Sequence, residues 1–525
     1  MDVDQRSVDY SLYLVTDSSP ATLGARDLVE VVEAALQGGV TVVQYRDKTN
    51  DTGVLVSTAK RLHEVTRKYN VPLLINDRVD VALAVGCEGV HIGQDDIDLG
   101  SARKILGKDA IIGVTVSSIV EAEAACDGGA DYLGIGTVFA TPTKTNTKEI
   151  IGTAGVKTIL RALAAKGSNV RTVCIGGINA STVQRVIYQS SDASKNLDGV
   201  AVVSAIIAAQ DPKQAAQDLL QLVHSPPPYA ISSIVTGQKP TSVDDLVSDV
   251  CDIIQTVSAE NPLSHNMTNL VVQNFSANVA LAFGGSPIMA NYGEEARDLA
   301  KLGGALVINM GTVTPDGLQN YAKALSAYNV EGGPVVFDPV GAGATSVRRS
   351  AVKTLMAAGY FDVIKGNEGE IKTVYGTVVQ QRGVDSGAST SSDLEKARLV
   401  RDLAERERNV VLMTGPTDFV SDGTRTYTVK NGHKLLEEIT GSGCVLGTAI
   451  SLMLAVCRGD KLLATLSAML HFEIAAEIAA EREDVKGPGT FVPALIDEIY
   501  NIQKATNGGD YNWLKRARVE AVDTK

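Results

Sequence analysis

Closely spaced cysteines are absent from this sequence. Six cysteines occur among 525 residues, with no C-x-x-C pair and no secretion signal: Cys87, Cys126, Cys174, Cys251, Cys444 and Cys457. A small fold held by disulfides needs a denser framework, and a zinc site needs paired ligands. We therefore expect six reduced thiols, as in a cytosolic protein.

Targeting segments and long apolar runs are also missing. The first residues, MDVDQRSVDYSLYLV, are acidic and polar, which is typical neither of a signal peptide nor of an arginine-rich transit peptide. The longest uncharged apolar stretch, residues 445–457, is too short to cross a bilayer. These features predict a cytoplasmic location and no membrane partner.

Positive charge is in deficit. The chain has 48 Lys and Arg against 61 Asp and Glu, which gives a net charge of -13 and a pI near 5.1. Nucleic acids and anionic membranes attract an excess of basic residues, so neither is an expected partner. With 44% hydrophobic residues and 49 glycines, the composition is that of an α/β enzyme acting on small molecules.

The length implies more than one domain, because a single hydrophobic core stops growing at about 250–300 residues. The sharpest change in composition is HSPPPYAISSIVTGQKP, residues 224–240, where three consecutive prolines interrupt helix-forming sequence. Prolines of this kind favour an extended spacer. We predict a first domain at 1–228, a linker at 229–240 and a second domain at 241–525.

Eight short β-branched runs occur in the first half, and segments of helical periodicity separate most of them. The runs are SLYLVTD, VTVVQYRDK, VPLLIND, GVHIGQDD, AIIGVTV, YLGIGTVFATPT, RTVCIGGIN and GVAVVSAI. Eight βα units predict a TIM (β/α)8 barrel, whose active site lies at the carboxyl ends of the strands. A doubly wound parallel sheet is the alternative.

The second half also alternates between strand and helix patterns. Its strand-like runs are GALVINMGT, PVVFDPVGAG, DVIKGNEGE and NVVLMTGPTDFVSDG. The apolar helix pattern GSGCVLGTAISLMLAV follows them. This order predicts a three-layer α/β/α domain with a mostly parallel sheet.

Polar side chains end several strands of the first half. Gln44, Arg46 and Lys48 alternate along QYRDK, so a strand would direct all three to the barrel interior, where the two cations suit a diphosphate. A salt-bridged barrel mouth is an equally simple explanation. Asp77 and Asp96 follow neighbouring strands, about 5 Å apart, and two such carboxylates can share one Mg²⁺ with diphosphate oxygens. Helix capping would also explain single aspartates there.

A second phosphate position is predicted at the last two strands. IGGI contains Gly176 and Gly177, and VVSA contains Val203 and Ser204. Backbone N–H groups at these strand ends commonly hold a phosphate in TIM barrels, since glycine permits close approach. A purely conformational need for glycine is the alternative.

Taken together and in order, QYRDK, INDRVDVALAVGCEGVHIGQDD, ATPTK, CIGGI and VVSAI resemble thiamine phosphate synthase across nearly the whole first half. The resemblance implies contacts to hydroxymethylpyrimidine diphosphate from Gln44, Arg46, Lys48, Asn76, Thr115 and Lys144. It implies Mg²⁺ at Asp77 and Asp96. It places the thiazole phosphate among Thr141, Thr143, Gly177, Val203 and Ser204. His91 is expected to be a neutral structural residue.

The second half contains no G-x-x-x-x-G-K-[ST] pattern, so a P-loop nucleotide site is not supported. Small residues at 441–444 precede the apolar helix, and backbone N–H groups at a helix amino terminus suit developing negative charge. Simple helix capping is the alternative. Asn367 and Glu370 in N-x-x-E spacing, with Asp338 at a strand end and Lys365 nearby, suit Mg²⁺ and a triphosphate.

These elements, with PLSHNMTNLVVQNFSAN, GGSPIMA and KGPGTF, resemble the ribokinase-like superfamily and in detail hydroxyethylthiazole kinase, over about residues 261–493. The resemblance implies that Asn269, Met289 and Gly441 bind the thiazole alcohol. It implies that Lys365 and Thr414 contact ATP, the cosubstrate, and that Asp338 and Glu370 hold Mg²⁺. Many sugar kinases of this superfamily have a catalytic Asp where this chain has Cys444.

A thiol titrates near 8.5 and a helix amino terminus can lower that pKa, so Cys444 is the predicted catalytic proton acceptor. A small buried residue chosen for packing is the alternative reading of Cys444. The resemblance also implies a homo-oligomer formed through the kinase half.

The two resemblances together imply a bifunctional enzyme of thiamine biosynthesis, a fusion of fungal type, in which the product of the second half is the acceptor for the first. A vitamin-responsive regulatory protein with one silent half is the alternative of a different class. A third possibility retains the folds with other substrates, such as a pyridoxine-type kinase. The complete set of reactive residues favours the enzyme.

Overall fold

The computed structural model describes residues 8–141, 149–230, 242–377 and 391–524. The chain forms two compact units, Met1–Pro227 and Pro228–Lys525. Tyr229 belongs to the second unit: it is 7% exposed and stacks on Tyr360 with ring centroids 4.3 Å apart. Residues 231–240 of the predicted linker lie outside the described residues, so its bounds stay a prediction.

The first unit is a closed barrel of eight parallel strands, as predicted. The strands are β1 (Leu12–Val15), β2 (Val42–Tyr45), β3 (Leu73–Asn76), β4 (Gly89–Ile92), β5 (Ile111–Val116), β6 (Tyr132–Gly136), β7 (Arg171–Ile175) and β8 (Gly199–Val202). They neighbour one another in chain order, and β8 pairs with β1 to close the barrel. The alternative of an open doubly wound sheet is therefore excluded.

Helices connect these strands and surround them. They are α1 (Leu28–Gln37), α2 (Thr52–Lys68), α3 (Val79–Val85), α4 (Leu99–Leu106), α5 (Ile119–Asp127), α6 (Gly152–Ala165), α7 (Val183–Ser190), α8 (Ser204–Ile207) and α9 (Pro212–His224). Side-chain caps start several of them: Asp27 accepts hydrogen bonds from the first turn of α1, and Asp98 does so for α4. Such caps satisfy N–H groups that have no partner inside the helix.

The barrel has two cores because successive side chains of each strand point to opposite faces of the sheet. Leu12 and Leu14 face the helices, whereas Tyr13 and Val15 face the barrel interior. The interior contains the buried Tyr132, which lies directly over Gly113 of the neighbouring strand. A Cβ atom on Gly113 would lie 2.0 Å from the Tyr132 ring, so glycine is required there.

The second unit contains a nine-stranded sheet in the order β10-β9-β11-β12-β13-β14-β15-β16-β17. The strands are β9 (Leu263–Met267), β10 (Ser286–Ile288), β11 (Ala305–Asn309), β12 (Val335–Asp338), β13 (Val363–Asn367), β14 (Val410–Thr414), β15 (Asp418–Ser421), β16 (Thr426–Val429) and β17 (Val519–Ala521). The first six in sheet order are parallel and the last three pair antiparallel. The predicted mostly parallel sheet is confirmed.

Helices cover both faces of this sheet. They are α10 (Val243–Ser248), α11 (Val250–Glu260), α12 (Gln273–Ala282), α13 (Ala296–Lys301), α14 (Pro315–Glu331), α15 (Ser346–Ala358), α16 (Glu368–Tyr375), α17 (Asp393–Glu407), α18 (Ser442–Val456), α19 (Lys461–Glu481) and α20 (Pro488–Asn507). Short 3-10 helices lie at Gly293–Glu295, Lys434–Leu436 and Asn512–Arg516. Val307 and Val336 pack against the layer containing α18 to α20, and Leu306 and Phe337 pack against α13 to α17.

Helix α19 is the most apolar long helix in the described part of the chain. Its length and composition alone would allow it to cross a membrane, but 94% of its apolar window is buried inside the domain. It packs between α18 and α20. It is therefore the central helix of this layer.

Candidate active sites

A cavity of about 540 Å³ lies at the carboxyl ends of the barrel strands. Eleven of the residues predicted for the first half line it: Gln44, Arg46, Lys48, Asn76, Asp77, Asp96, Thr115, Thr141, Gly177, Val203 and Ser204. The other two, Thr143 and Lys144, lie outside the described residues. Residues predicted for two separate phosphate positions therefore share one space.

Two carboxyl groups meet at one side of this cavity. Asp77 follows β3 directly with a left-handed φ of 61°, and its N–H donates to the carbonyl of His91 at 2.8 Å. Asp96 lies in a turn four residues after β4, where its Oδ2 accepts from the Gly93 N–H at 2.8 Å. The sequence suggested that Asp96 ends a strand. In the structure, a turn after β4 holds it instead.

The two carboxyl groups shift each other's pKa in opposite directions. Burial raises the pKa of Asp77, and the hydrogen bond with Asp96 raises it further. Burial would raise the pKa of Asp96 as well, but the hydrogen bonds from Asp77 and the Gly93 N–H lower it below its usual value. Lys48 forms an ion pair with Asp77. Two carboxyl groups this close together repel each other when both are ionised, and a cation bound between them would relieve that repulsion.

The donor set fits Mg²⁺. Carboxylate oxygens are its usual protein ligands, and it commonly binds through one or two carboxylates together with substrate phosphates. No group of three or more His, Cys, Asp or Glu suited to a metal occurs among the residues described. Asp77 and Asp96 would therefore hold the ion only together with ligands from the substrate or from water.

The opposite side of the cavity is formed by glycines and by the start of α8. Gly176 and Gly177 have φ values of 112° and 66°. A Cβ atom on Gly176 would lie 2.3 Å from a Thr137 methyl group, and one on Gly177 would lie 2.8 Å from the Phe139 Cβ. Both positions therefore require glycine for conformational reasons, and the part of Gly177 in phosphate binding stays a prediction.

Sequence reasoning missed two polar side chains beneath this cavity, Tyr13 and Tyr132, and expected a third, His91, as a neutral structural residue. Tyr13 and His91 line the cavity, Tyr132 is buried between them, and the three are hydrogen-bonded to one another or to Gln44 and Thr115. They stand on β1, β6 and β4, far apart in the chain. Polar residues at inward positions of strands are the only sequence signal that could have found them.

In the second unit, three polar side chains meet near the carboxyl ends of β11, β12 and β13. The Asp338 carboxyl is 1% exposed, and its Oδ2 accepts from Lys365 Nζ at 3.0 Å and from Asn309 Nδ2 at 2.9 Å. Its other oxygen has no hydrogen-bond partner among the described residues. Burial raises the Asp338 pKa, although Lys365 opposes that shift. An oxygen left without a partner is a suitable ligand for a cation.

Glu370 approaches this cluster from the start of α16. Asn367 and Glu370 form a capping box, in which the Asn367 side chain accepts from the Glu370 N–H and Glu370 accepts from the Asn367 N–H. The other Glu370 oxygen accepts from the Gly341 N–H at 2.7 Å. Burial, followed by the negative charge of Asp338, raises the Glu370 pKa to about 7. Asp338 and Glu370 thus form a second carboxyl pair that fits a divalent cation.

Helix α18 begins beside Lys365. Gly441 caps it in the left-handed conformation with φ 85°, and a Cβ atom on Gly443 would lie 3.7 Å from Lys365 Nζ. Asn269 Nδ2 donates to Asn309 Oδ1 at 3.0 Å and to Cys444 Sγ at 3.5 Å. The predicted residues Asn269, Lys365 and Cys444 therefore lie within one hydrogen-bonded group.

The thiol of Cys444 is less acidic than the sequence suggested. Burial, followed by the negative charge of Asp338, raises its pKa to about 11. This direction is opposite to the lowering expected at a helix amino terminus, because burial and a nearby carboxylate both disfavour a thiolate. Cys444 is a neutral thiol at physiological pH, and its catalytic role stays a prediction.

Two predicted residues stand apart from this group. Met289 follows β10 at the far edge of the sheet, and Thr414 ends β14 on the other side; both are half-buried. Sequence reasoning missed Asn309, which links Asn269 to Asp338. Its signal was present, since Asn309 ends a buried strand in the same way as Asp338.

A buried carboxyl pair supports the turn after Thr414. Asp418 accepts from the Gly415 N–H at 2.7 Å, and Glu473 of α19 lies beside it with no hydrogen-bond partner of good geometry among the described residues. Burial raises the pKa of Asp418 to about 6 and raises that of Glu473 above its ordinary value. Both groups therefore bind protons more tightly in the folded state than in the unfolded state.

Glu473→Gln is expected to flatten the pH dependence of kinase-domain stability. A carboxyl whose pKa is raised by folding contributes stability below its unfolded pKa, near 4.5, which is lost as pH rises through the folded value. The free energy of unfolding should therefore fall less between pH 5 and about 8 in the variant. Trp513, the one tryptophan of the chain, lies in this unit, so its fluorescence reports unfolding. Glu481→Gln, on the exposed side of α19, is the control, and parallel profiles for both variants would contradict the expectation.

Comparisons with known proteins match each half of the chain to a family. Residues 12–206 match the thiamine monophosphate synthase family, and residues 254–505 match the hydroxyethylthiazole kinase family. A Schizosaccharomyces pombe protein described as a probable thiamine biosynthetic bifunctional enzyme is 44% identical over 99% of this chain and 100% of its own length. The thiamine biosynthetic bifunctional enzyme of Saccharomyces cerevisiae is 36% identical over 95% of this chain and 96% of its own length. A solved hydroxyethylthiazole kinase from Pyrococcus horikoshii is 36% identical, with a TM-score of 0.46, over 53% of this chain and all of its own.

The barrel and the layered domain thus define a two-domain transferase, with a synthase in the first half and a kinase in the second. The chain belongs to the family of thiamine biosynthetic bifunctional enzymes. Its two activities are those of thiamine phosphate synthase and hydroxyethylthiazole kinase. Enzymes of these families generally use Mg²⁺, and the kinases use ATP.

Proposed function

We propose that the barrel cavity joins hydroxymethylpyrimidine diphosphate to hydroxyethylthiazole phosphate, releasing pyrophosphate. The observation that carries this proposal is the meeting of eleven predicted residues around one cavity. Gln44, Asn76 and Thr115 would contact the pyrimidine ring. Arg46, Lys48 and Lys144 would bind the diphosphate. Mg²⁺ held by Asp77 and Asp96 would neutralise part of the diphosphate charge.

The chemistry needs little proton transfer. The bond between the pyrimidine methylene carbon and the diphosphate oxygen breaks, and the electron pair leaves with pyrophosphate. The thiazole nitrogen then donates its lone pair to that carbon. Arg46 and Lys48 stabilise the charge that develops on the leaving group, which is the usual source of the largest rate effects. Thr141, Thr143, Gly177, Val203 and Ser204 would hold the thiazole phosphate in line with this carbon.

We propose that the second domain phosphorylates hydroxyethylthiazole with ATP. Asn269, Met289 and Gly441 would bind the alcohol, and Lys365 and Thr414 would contact ATP. Asp338 and Glu370 would hold Mg²⁺. The alcohol oxygen attacks the terminal phosphorus and ADP leaves, a reaction that depends chiefly on alignment and charge neutralisation. The buried contact between Lys365 and Asp338 supports this arrangement.

A two-stage assay tests both halves in the intact chain. The protein is incubated with hydroxyethylthiazole, ATP and Mg²⁺, and pyrimidine diphosphate is added afterwards. We expect thiazole phosphate and ADP first, then thiamine phosphate and pyrophosphate. Failure of the first stage would reject the kinase assignment. Failure of the second stage with supplied thiazole phosphate would reject the synthase assignment. That result would favour the alternative of a regulatory protein with one silent half.

Cys444→Ala tests the proton-acceptor role. If the thiol accepts the alcohol proton, the kinase kcat should fall by about 10²-fold or more, because general acid–base help contributes that much. The high pKa of the thiol, about 11, predicts that the wild-type rate will also rise with pH across the alkaline range. Cys444→Ser is a matched variant of similar volume. An unchanged kinase rate in Cys444→Ala would assign the residue to packing.

Three further proposals concern the whole molecule. The domain bounds are 1–228 and 241–525, with the linker between them. The location is the cytoplasm, which agrees with six free cysteines among the described residues. The kinase half forms a homo-oligomer, and sedimentation of the intact protein tests this: a monomer at micromolar concentration would contradict it.

A further inference from the structure

A continuous chain of hydrogen bonds crosses the floor of the barrel cavity. It links six side chains in the order Asn76, Gln44, Tyr13, Tyr132, His91 and Thr115. The successive distances are 2.7 Å, 2.9 Å, 2.7 Å, 2.7 Å and 2.8 Å. Asn76 and Thr115, at its two ends, both line the cavity. The chain therefore connects two groups proposed to contact the pyrimidine.

The direction of these hydrogen bonds follows from the Gln44 side chain, which is 4% exposed. Its Nε2 donates to Asn76 Oδ1, and its Oε1 accepts from the Tyr13 hydroxyl. A phenol has a single hydrogen, so the Tyr13 oxygen can only accept from Tyr132. Burial raises the pKa of both tyrosines, so both stay protonated.

The same rule extends to the other end of the chain. Tyr132 uses its hydrogen toward Tyr13, so its oxygen must accept from His91 Nδ1–H. A neutral imidazole carries one hydrogen, and in that form, with the hydrogen used at Nδ1, Nε2 accepts from the hydroxyl of Thr115. The Thr115 hydrogen is thus directed inward, and its oxygen offers a lone pair to the cavity. Asn76 uses its oxygen inward, so its NH₂ group is the donor that remains.

We propose that Tyr13, Tyr132 and His91 are positioning residues that fix the hydrogen-bond polarity of the pyrimidine position, with a donor at Asn76 and an acceptor at Thr115. Such a pair is complementary to a ring nitrogen beside an exocyclic amino group. It opposes the corresponding oxo-pyrimidine, in which a carbonyl acceptor stands beside a ring N–H donor. The inference rests on the proposed binding of the pyrimidine at Asn76 and Thr115.

The reverse polarity gives the opposite selectivity. If the Gln44 amide were turned, every hydrogen bond in the chain would reverse, Thr115 would donate and Asn76 would accept. The cavity would then prefer the oxo-pyrimidine. Substrate preference therefore reports the direction of the chain.

The test compares the diphosphates of the 4-amino-pyrimidine and of its 4-oxo analogue in the synthase reaction. We expect the wild type to favour the amino compound by about 10⁴-fold in kcat/KM, the scale seen when buried polar groups are left unpaired. In Tyr132→Phe the chain is broken, so His91 can change tautomer and Thr115 can rotate. The amino-to-oxo ratio should fall by about 10-fold or more, because a buried polar group then finds a partner in either analogue and no longer discriminates against the oxo compound. The change should appear mainly in KM for the amino compound.

Tyr10→Phe is the matched control. The Tyr10 ring packs 4.9 Å from that of Tyr132 and is also buried, at 4% exposed, but its hydroxyl is not part of the chain. It should leave the ratio unchanged. Thr115→Ser should also preserve the ratio, because its hydroxyl can donate to His91 in the same way, whereas Thr115→Val should lower it. Tyr13→Phe breaks the chain one step away and serves if Tyr132→Phe fails to fold.

The outcomes separate this inference from the proposed function. An unchanged ratio in folded Tyr132→Phe and Tyr13→Phe, with kinase activity as the internal measure of intact protein, would overturn the positioning role. A wild type that prefers the oxo compound would overturn the assigned direction. A wild type that turns over neither compound would instead overturn the proposed synthase site itself.

Discussion

Asp96→Ala is expected to lower the synthase kcat/KM by about 10³-fold while the kinase activity of the same chain stays at its wild-type level. The loss follows from charge: Asp77 would be the one remaining carboxylate to hold the metal, and it is already paired with Lys48. Synthase and kinase rates would be measured on one preparation, so the kinase rate reports the amount of intact chain, and circular dichroism against the wild type reports the folding of the barrel.

Two companion variants separate the metal from the turn. Asp95→Ala removes the neighbouring carboxylate, which also lines the cavity, and is expected to retain most synthase activity. Asp96→Asn keeps an oxygen that can accept from the Gly93 N–H but removes the charge, so it should lose activity like Asp96→Ala. Both Asp96 variants should need more Mg²⁺ to reach half their maximal rate. Normal turnover in Asp96→Ala would show that the metal assignment is wrong.

The second large effect is expected at the buried pair of Asp338 and Lys365. Asp338→Asn leaves the Lys365 ammonium, 3% exposed, without its counter-ion. Breaking a buried pair in this way costs about 3 to 5 kcal/mol of unfolding free energy. The kinase rate should also fall by about 10³-fold, because both groups are proposed to handle phosphate and metal charge.

Stability and catalysis can be separated at this pair by a double variant. Asp338→Asn combined with Lys365→Met removes both charges, and replacing a buried pair by neutral groups is often nearly neutral for stability. We expect Trp513 fluorescence to show most of the stability restored, with the kinase still inactive and the synthase unaffected. Wild-type kinase activity in the double variant would show that Asp338 and Lys365 contribute to stability and not to catalysis.

The barrel strands were predictable because their sequence signal is local. Each strand is a β-branched run that ends in glycine or polar residues, and all eight occur in the predicted order. Strand ends also marked Asn76, Asp77 and Asp338 as site residues. Their grouping was predictable once the fold was assigned, because parallel strands end at the same edge.

Other elements depend on residues that are distant in sequence. β9, LSHNM, contains the fully buried His265 and Asn266 and lacks an apolar pattern. His265 is hydrogen-bonded to the carbonyl of Ala290, and Asn266 accepts from the hydroxyl of Thr448 in α18, which lies 182 residues further along the chain. β15 follows β14 after a short turn, so the two antiparallel strands were concealed within one run, NVVLMTGPTDFVSDG.

The chain beneath the barrel cavity was beyond sequence reasoning for the same reason. Tyr13 and Tyr132 are 119 residues apart, and only barrel closure brings their hydroxyls to 2.7 Å. The acidity of Cys444 was also missed, because its position at a helix amino terminus is visible in the sequence whereas its burial beside Asp338 is not. Thr143 and Lys144 stay predictions, since they lie outside the described residues.

The order in which the ribosome makes these elements has a consequence for the second domain. The barrel can close as soon as β8 emerges, because Leu12 then finds Val200. The sheet of the second domain is largely complete at Thr414, but α18 and α19, the helices that cover its Val307 and Val336 face, end at Glu481. At a usual rate of synthesis that face stays uncovered for on the order of 10 seconds. Nascent-chain aggregation and chaperone capture should therefore concentrate on this one sheet face, after the synthase has already folded.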